Sequence, residues 1–547
     1  MRPIATCLIA TSLVVISPLS AEDTPQYDLV IRDGRVLDGA GNPWTEADVA
    51  IADGRIVKVG IVTGQGRQEL DATGRYVAPG FIDMLDQSGS ALLRDGSAAN
   101  KLQMGVTTLI AGEGGTAVPA HDLSAYFSQL EAQGIAVNFG TYYSATQARV
   151  VAMGDTAGTP TPDQFAQMER EVTAAMRAGA FGISTALIYP PATFHSADDL
   201  ARLASIPAQC GGIYATHMRD ESSELIAAIE EAISIGERSG AQVEIFHIKA
   251  AFAPLWGQLM PQAIATIEQA RARGVDVAAN IYPYRAGGTG LSPTVPTHVF
   301  EGGREAAHEK LRDPAVRAVL KQELLAGPQP DWSNLVHASG GWDNVVLANA
   351  YDPAMERFEG QSFAAIGAAL GRDPADVAWD TLLNALPERA SALYFMMHQD
   401  DIDLAMRQPW VSIGTDAAAA ITPVDSEPQG MTHPRSYGTF PRILADYVRD
   451  RGVLTLPDAI RKMTSLPALR MGLEDRGLLR PGMRADVVVF DASQIQDRAT
   501  FAQSRVQSTG VDHVIVNGSL ALYNGELTPA RAGMVLRHTC EFTFEPK

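Results

Sequence analysis

The sequence predicts an α/β protein, a TIM (β/α)8 barrel joined to a small β-sandwich module that both chain termini build. From Tyr76 onward, short apolar β-rich runs alternate with helical patterns, which is typical of repeated βα units around a parallel sheet. Outside that region, β-like runs are broken by Asp33-Gly34 and Asn517-Gly518, which are hairpin turn signals. We therefore expect a barrel inserted between the two halves of a terminal β module.

The first residues have the pattern of a secretory signal peptide. Arg2 precedes an apolar stretch from Ile4 to Ile16, and the small residue Ala21 stands just before the acidic Glu22. The apolar stretch is shorter than the about 20 residues that a membrane-spanning helix needs. We predict that residues 1–21 are removed and that the mature protein is periplasmic or secreted.

The rest of the chain divides into three predicted parts. Residues 22–75 and 475–547 are assigned to the β module, and residues 76–474 to the barrel. The eight predicted barrel strands are Tyr76–Leu85, Val106–Glu113, Ile135–Tyr143, Phe181–Ile188, Gly212–His217, Gln242–His247, Val275–Tyr282 and Trp410–Asp416. Apolar residues at helical spacing predict helices between them at Thr161–Ala178, Ser222–Arg238 and Gln258–Arg273.

The seventh and eighth predicted strands are separated by far more residues than an ordinary loop contains. In compact domains, connections longer than about 15 residues without secondary structure of their own are uncommon. We therefore predict an inserted lid or subdomain at about 292–342, and we expect it to lie over the active-site face of the barrel.

The composition limits both the class of protein and its partners. Hydrophobic residues make up 46% and charged residues 19% of the chain, which excludes a mostly disordered protein. The formal net charge of −20 leaves no dominant basic surface for a nucleic acid or an anionic membrane. A small molecule remains as the expected partner. That molecule can bear a carboxylate despite the negative net charge of the protein. Salt screens distant charges beyond about 8 to 10 Å, so nearby cations dominate the electrostatic potential at a binding site. The oligomeric state is not predicted.

The chain has cysteines at positions 7, 210 and 540. Cys7 lies in the predicted signal peptide. Cys210 and Cys540 could form one disulfide in an oxidising compartment, but they stand in a helix-to-strand connection and in the C-terminal tail. We therefore favour two unpaired thiols.

Polar residues close four of the apolar runs that are predicted to be barrel strands. They are Glu113, His217, His247 and Asp416. In a TIM barrel the C-terminal ends of the strands surround the active site. Two imidazoles and a carboxylate are common zinc ligands, and a further carboxylate can transfer protons. The set of four therefore predicts a metal site, with a polar network that caps the barrel as the alternative.

These residues lie within sequence motifs that resemble the N-acyl-D-amino-acid deacylases, or D-aminoacylases, of the amidohydrolase superfamily. The motifs are APGFID at 78–83, YATHMRDE at 214–221, FHIK at 246–249, YPY at 282–284, GTD at 414–416 and HPR at 433–435. The resemblance covers nearly the whole mature chain. It implies a metal-dependent hydrolase in which His217 and His247 bind the metal and Asp416 is the catalytic carboxylate.

The sequence departs from that family at two places. Where the deacylases have a cysteine ligand on the second strand, this chain has Glu113, whose carboxylate can replace a thiolate on zinc. Where the superfamily has His-x-His at the end of the first strand, this chain has Leu85, Asp86 and Gln87. We therefore predict one zinc ion per chain, held by Glu113 and the two strand-end histidines, with Asp86 as an outside candidate ligand.

Five further residues are predicted to contact the substrate. Lys249 and Arg219 each follow one of the two histidines by two residues, so on a strand they share its face. Tyr189, after the fourth strand, is a candidate hydrogen-bond donor to the oxyanion. Tyr282 and Arg435 complete the set. Each of the five has an alternative structural role, in packing or in an ion pair.

The leading hypothesis is a secreted zinc-dependent hydrolase that cleaves the amide of N-acyl amino acids, of D configuration by the resemblance. Metal-activated water would attack, with Asp416 as the proton carrier. Hydrolysis of cyclic amides, peptides or lactones by the same site is the near alternative, and a catalytically silent binding barrel is the alternative from another class. A dehydrogenase or nucleotide hydrolase is disfavoured, because the sequence has neither a glycine-rich dinucleotide turn nor a phosphate-binding loop.

Overall fold

The structure is a computed structural model that describes residues 26–113, 115–329, 331–420 and 430–540. The predicted signal peptide, residues 1–21, lies outside the described residues. Within the described ranges, none of the helices is both long enough and apolar enough to cross a bilayer.

Strands from both ends of the described chain form one nine-stranded sheet. Its strands are Tyr27–Val36, Thr45–Ala52, Arg55–Gly60, Gly66–Asp71, Tyr76–Pro79, Val487–Phe490, Val511–Val516, Ser519–Tyr523 and Glu526–Leu527. The two halves join where Tyr76–Pro79 pairs antiparallel with Val487–Phe490. Ile51 and Val487, one from each half, are buried in a shared apolar core. Both ends therefore build one module, but the two separate sheets of a sandwich are not found among the described residues.

Eight parallel strands form the TIM barrel. They are Phe81–Asp86, Val106–Ala111, Asn138–Thr141, Gly182–Ala186, Ile213–His217, Gln242–Ile245, Val277–Ile281 and Val411–Ile413. Parallel pairing connects the first three strands and, separately, the last five. The two groups join where Phe181 N donates to Thr141 O at 3.0 Å and where Asp416 N donates to Leu85 O at 2.8 Å. Each strand overlaps one of the eight predicted apolar runs.

The first predicted barrel strand is divided in two. Tyr76–Pro79 belongs to the terminal sheet and Phe81–Asp86 to the barrel, with Gly80 between them. A Cβ atom at Gly80 would clash with the Thr107 side chain. Glycine suits this position because the backbone passes directly against the neighbouring strand. The barrel therefore begins at Phe81 and not at Tyr76, as the apolar run had predicted.

Helices surround the barrel. They are Gly89–Arg94, Ala99–Gln103, Leu123–Gln133, Ala145–Met153, Pro162–Ala178, Ala197–Ala208, Leu225–Ser239, Leu259–Ala272, Gln399–Met406, Arg435–Arg442, the π-helix Ile443–Asp450, Leu456–Met463 and Ser465–Arg470. Pro162–Ala178 begins with a capping box between Thr161 and Gln164, and Gly179, with a φ of 110°, ends it. Its buried residues recur every three or four positions, as the apolar spacing predicted.

The connection between the seventh and eighth barrel strands is a subdomain, here called the insertion, that runs from Gly287 to Tyr394. Its antiparallel sheet consists of Gly287–Gly290, Ser391–Tyr394 and Val345–Asn349. Its helices are Arg304–Arg312, Pro314–Leu325, Leu335–Ala338, Phe363–Leu370 and Pro374–Asn384. The insertion is longer than the predicted 292–342, because the central strand of its sheet comes from the far end of the connection.

The C-terminal segment crosses the N-terminal face of the barrel. His538 N donates to Gly179 O at 2.9 Å, and His538 Nε2 lies 2.9 Å from Cys210 O. This course brings the Cα atoms of Cys540 and Cys210 to 5.1 Å, and the two residues form a disulfide. The prediction of two unpaired thiols is therefore wrong. Two positions 330 residues apart in sequence become neighbours only because the tail packs against the barrel.

A buried lysine links the first and last strands of the barrel. Lys101 is completely buried, and its Nζ lies 2.8 Å from both Asp83 Oδ2 and Asp86 Oδ1. The same Nζ donates to Thr415 Oγ1 at 2.8 Å and to Ala417 O at 2.7 Å, just after the eighth strand. One ammonium group thus compensates two carboxylates of the first strand and anchors the turn after the last.

We expect the substitution Lys101→Met to lower the free energy of unfolding by about 3 to 5 kcal/mol, because it leaves buried carboxylates without their cation. Urea and thermal unfolding of the two proteins would measure the difference. Lys58→Met is the matched control, since Lys58 is exposed in the terminal sheet and should change stability by less than about 0.5 kcal/mol. Equal stabilities of the two variants would contradict the assignment.

Candidate metal centre and substrate cavity

A cavity of about 760 Å³ opens at the C-terminal ends of the barrel strands. Glu113, His217, His247 and Asp416 line its floor, and Leu291, Ser292, Phe300, Arg304, His308, Leu335 and further insertion residues line its walls. The insertion therefore provides part of the wall of the site. This arrangement places the candidate chemistry on the barrel and much of the enclosing surface on a separate subdomain.

Glu113, His217 and His247 form a cluster that can hold a metal ion. Each offers one ligand atom, and these atoms all lie within 4.8 Å of one another. Glu113 Oε1 is 3.0 Å from His217 Nδ1 and 2.7 Å from His247 Nε2. All three residues are buried. Imidazole nitrogens and a carboxylate oxygen suit zinc, so the residues present fit the ion that the sequence predicts.

The two histidines determine the ionisation of Glu113. Burial alone would raise the pKa of the Glu113 carboxyl, but His247 and His217 hold it well below its usual range. The carboxylate is therefore ionised at neutral pH. A metal ion at this position would replace the protons of the two imidazoles as the partner of this carboxylate, because histidine binds a metal in its neutral form.

Two residues of the site have backbone conformations that L-amino acids adopt infrequently. His247 has a φ of 35° and Asp416 a φ of 50°. His247 lies two residues after the sixth strand and Asp416 three residues after the eighth. Strained conformations of this kind persist where surrounding contacts hold them, and they often occur at functional sites. Here they occur where the backbone leaves the sixth and the eighth barrel strand at the cavity.

Glu221 is a residue that the sequence did not single out for the site. Its Oε2 lies 3.4 Å from His217 Nε2, and its Oε1 lies 3.0 Å from His247 Nδ1 and 2.6 Å from Lys249 Nζ. Glu221 therefore contacts the ring nitrogens that face away from Glu113. A carboxylate behind a metal-ligating histidine fixes the orientation and tautomer of the ring. The only sequence signal was its place four residues after His217.

The end of the first strand does not provide a second metal position. Leu85 is buried in an apolar cluster. The Gln87 Nε2 donates to Asp416 Oδ1 at 3.1 Å and makes a short hydrogen bond to Glu113 Oε2. Asp86, the outside candidate ligand, is held by Lys101 and by Ser88 N at 2.6 Å and does not line the cavity. Asp86 is therefore part of the barrel closure and not a ligand.

Asp416 faces the cavity between two donors. Its Oδ2 lies 2.8 Å from Arg435 Nη1, and its Oδ1 accepts from the Gln87 amide. Burial raises the pKa of the Asp416 carboxyl, although Arg435 opposes the rise. This is the setting of a carboxylate that can accept a proton, because its position is fixed and its basicity is increased.

Three other predicted substrate residues line the cavity. Lys249 lies beside Glu221, and Tyr282 packs against the His247 ring with centroids 6.2 Å apart. Arg435 also lines the cavity, and its guanidinium carbon lies 4.7 Å from the centroid of the Tyr282 ring. Lys249, Tyr282 and Arg435 thus form one cationic corner on the His247 side of the site.

Tyr189 lies on the other side of the metal cluster. Its ring centroid is 5.3 Å from that of His217, and its hydroxyl is 2.8 Å from Thr289 Oγ1. Burial raises the pKa of Tyr189 above its usual value, so the hydroxyl keeps its proton and can donate a hydrogen bond. Tyr189 lines the cavity.

Arg219 does not have the predicted place. Its guanidinium donates to Glu231 Oε1 at 2.8 Å, to Thr193 O at 2.7 Å and to His195 O at 2.9 Å, and it is not among the cavity residues. Its spacing from His217 suggested a shared face, but the strand ends at His217 and the alternation does not continue. Arg219 therefore forms a structural ion pair with Glu231 and does not line the substrate cavity.

We predict that Glu221→Gln weakens the binding of a divalent metal by about 10- to 100-fold. A neutral amide cannot accept hydrogen bonds from both imidazole rings as the carboxylate does, so the rings lose their fixed orientation. Competition with a chromophoric chelator would measure the dissociation constant. Glu231→Gln is the control, since Glu231 pairs with Arg219 outside the cavity. Unchanged metal affinity in Glu221→Gln would contradict this role.

Comparisons with known proteins identify the family of the chain. Residues 68–521 match the amidohydrolase family. An N-acyl-D-glutamate deacylase of Alcaligenes xylosoxydans xylosoxydans is 33% identical over 543 residues, which cover 95% of this chain and 99% of that protein.

Two solved structures have the same fold over nearly the whole chain. An N-acyl-D-glutamate deacylase from Bordetella bronchiseptica, complexed with zinc and a phosphonate mimic of the tetrahedral intermediate, has a TM-score of 0.77 and 29% identity, covering 93% of this chain and 99% of that one. A D-aminoacylase, described in terms of one-metal activation and second-metal attenuation of its binuclear centre, has a TM-score of 0.78 and 30% identity, covering 93% and 100%. These similarities, together with a barrel that carries a cluster able to hold a metal ion, place the chain in the amidohydrolase family, among its D-aminoacylase-like, metal-dependent hydrolases.

Proposed function

We propose that this hydrolase cleaves the amide bond of N-acyl-D-amino acids and uses one zinc ion per chain. The observation that carries the proposal is the cluster of Glu113, His217 and His247 with Asp416 beside it on the same cavity floor. The similarity to a D-aminoacylase and to an N-acyl-D-glutamate deacylase supports the substrate class.

A single zinc ion is favoured by the residues at the end of the first strand. Glu113 and the two histidines would hold it, while Leu85 offers no ligand atom and the Gln87 amide lies between Glu113 and Asp416. The related zinc-containing deacylase supports the choice of zinc. When bound, the ion supplies a Lewis acid for the amide carbonyl and lowers the pKa of water at the site.

Asp416 is the proton carrier in this proposal. Gln87 and Arg435 hold its two oxygens, so the carboxylate keeps one orientation towards the cavity. It would accept a proton from the attacking water and deliver it to the departing amine, which completes the cleavage of the C–N bond. Tyr189 is positioned to donate a hydrogen bond to the carbonyl oxygen as negative charge develops there.

The substrate carboxylate is assigned to the corner of Lys249, Tyr282 and Arg435. Two cations and a phenol converge there beside the His247 ring. This corner favours an acyl amino acid over a cyclic amide or a lactone that lacks a carboxylate. The alternative of a silent barrel is disfavoured, because the metal ligands and the proton acceptor lie together in one cavity.

The metal content of the purified protein tests this function first. We expect about one zinc per chain by elemental mass spectrometry, lost in His217→Ala but kept in Asp416→Asn. Asp416→Asn should reduce kcat on N-acetyl-D-amino acids by about 100-fold or more, because general acid–base catalysis of this kind contributes 10²- to 10⁴-fold. Asp198→Asn, at an exposed side chain, is the control. Two zinc ions per chain, or full activity in Asp416→Asn, would overturn the mechanism.

We also propose that the protein works outside the cytoplasm, after removal of residues 1–21. The disulfide between Cys210 and Cys540 supports this, because such bonds persist in oxidising compartments. Intact mass of the protein purified from its native cells should correspond to a chain that begins at Glu22. A mass that includes residues 1–21 would contradict export.

A further inference from the structure

Two arginines that line the cavity, Arg304 and Arg389, take no part in the chemistry described above. Arg389 belongs to the insertion and lines the cavity. Lys249 and Arg435 are each paired with a carboxylate, Glu221 and Asp416 respectively. Among the described residues, no carboxylate forms an ion pair with Arg389, and its neighbour Glu388 also lines the cavity without pairing with it. Arg389 is exposed at the cavity and has no carboxylate partner among the described residues, so it can pair with an anionic group that enters the cavity.

The contacts of Arg389 hold it in place without neutralising it. Its Nη2 donates to Thr289 Oγ1 at 2.9 Å, and the same hydroxyl lies 2.8 Å from the Tyr189 hydroxyl. Its guanidinium group lies against Gly290, where a Cβ atom would clash with it. All of these partners are neutral. The space beside Gly290 and the hydrogen bond to Thr289 thus position the guanidinium group.

Arg389 lies on the side of the metal cluster opposite to the carboxylate corner. Its guanidinium carbon is 5.8 Å from the Tyr189 ring centroid, and that ring lies 5.3 Å from the His217 ring. Arg435, in contrast, lies over Tyr282 beside His247. A substrate whose scissile carbonyl is at the metal cluster would therefore have Arg435 on the His247 side and Arg389, beyond the Tyr189 ring, on the His217 side. The two cationic positions can be filled together only by a molecule with two anionic groups.

We propose that Arg389 binds a second carboxylate of the substrate, so that the preferred substrates are dicarboxylates. A guanidinium group binds a carboxylate through two parallel hydrogen bonds, which suits a planar anion at a fixed position. The second carboxylate can belong to an acidic side chain of the amino acid or to a dicarboxylic acyl group. This inference rests on the proposed deacylase function and adds a specificity residue to it.

Two matched pairs of substrates test the proposal on the zinc-loaded protein. The first pair is N-acetyl-D-glutamate and its neutral isostere N-acetyl-D-glutamine. The second is N-succinyl-D-alanine and its neutral isostere N-succinamoyl-D-alanine. We expect the wild-type protein to prefer the charged member of one pair by about 10- to 100-fold in kcat/KM, the effect of one charge-assisted contact. The pair that shows the preference identifies the source of the carboxylate.

Arg389→Met should abolish that preference by raising the KM of the charged member, while Arg389→Lys should keep part of the preference. Arg304→Met is the matched control, because Arg304 lines another part of the same cavity and should leave the preference intact. The proposal is overturned if the wild-type protein shows no preference in either pair. It is equally overturned if the preference survives in Arg389→Met, or if Arg304→Met removes it as completely.

The failure of this inference can be distinguished from the failure of the proposed function. If the zinc-loaded protein hydrolyses none of the four compounds, the deacylase function fails. Calorimetry with the same compounds then tests Arg389 separately, since binding needs no turnover. Tighter binding of a charged member that is lost in Arg389→Met supports the second carboxylate site, and equal binding within both pairs overturns it.

Discussion

The carboxylates at the mouth of this barrel are compensated by groups that come from several different strands and loops. Glu113 lies between two imidazoles, Glu221 lies behind the same imidazoles and beside Lys249, and Asp416 lies between Gln87 and Arg435. Removing an ionised carboxylate from water without such partners costs several kcal/mol or more. The arrangement is therefore stable only when the barrel is closed, and the closed barrel in turn positions the site.

Closure of the barrel also depends on buried carboxylates that are paired with a cation. Lys101 joins Asp83 and Asp86 of the first strand to the turn after the eighth strand. The backbone of Asp416 meets Leu85 across this seam, so the proposed proton carrier stands where the two ends of the barrel join. A carboxylate held at such a seam has little freedom to rotate, which favours one orientation for proton transfer.

The candidate metal ligands and much of the cavity wall come from different parts of the chain. The ligand cluster and Asp416 come from the ends of barrel strands, which a parallel barrel brings together by its topology. Much of the cavity wall comes from the insertion, whose sheet places Gly287–Gly290 against Ser391–Tyr394 and so brings Thr289 and Arg389 to the cavity. Changes in the insertion can alter which substrate fits while the ligand cluster stays the same.

The order of strands and the location of the site follow from local pattern. Apolar runs of strand length, separated by helices, predict the barrel, and polar residues at the ends of those runs predict Glu113, His217, His247 and Asp416 as neighbours. The absence of first-strand histidines is also visible in the sequence alone. Each of these conclusions needs only the period of the strand and the direction in which parallel strands end.

The tertiary structure decided the features that depend on contacts between distant segments. The tertiary structure brings Cys540 next to Cys210 and pairs Arg219 with Glu231. It also pairs Asp86 with Lys101 and places Glu221 against both histidines. A sequence determines which residues follow a strand, because strand geometry is local. It does not show which of those residues find partners across the barrel, because a side chain takes the partner that packing brings within reach.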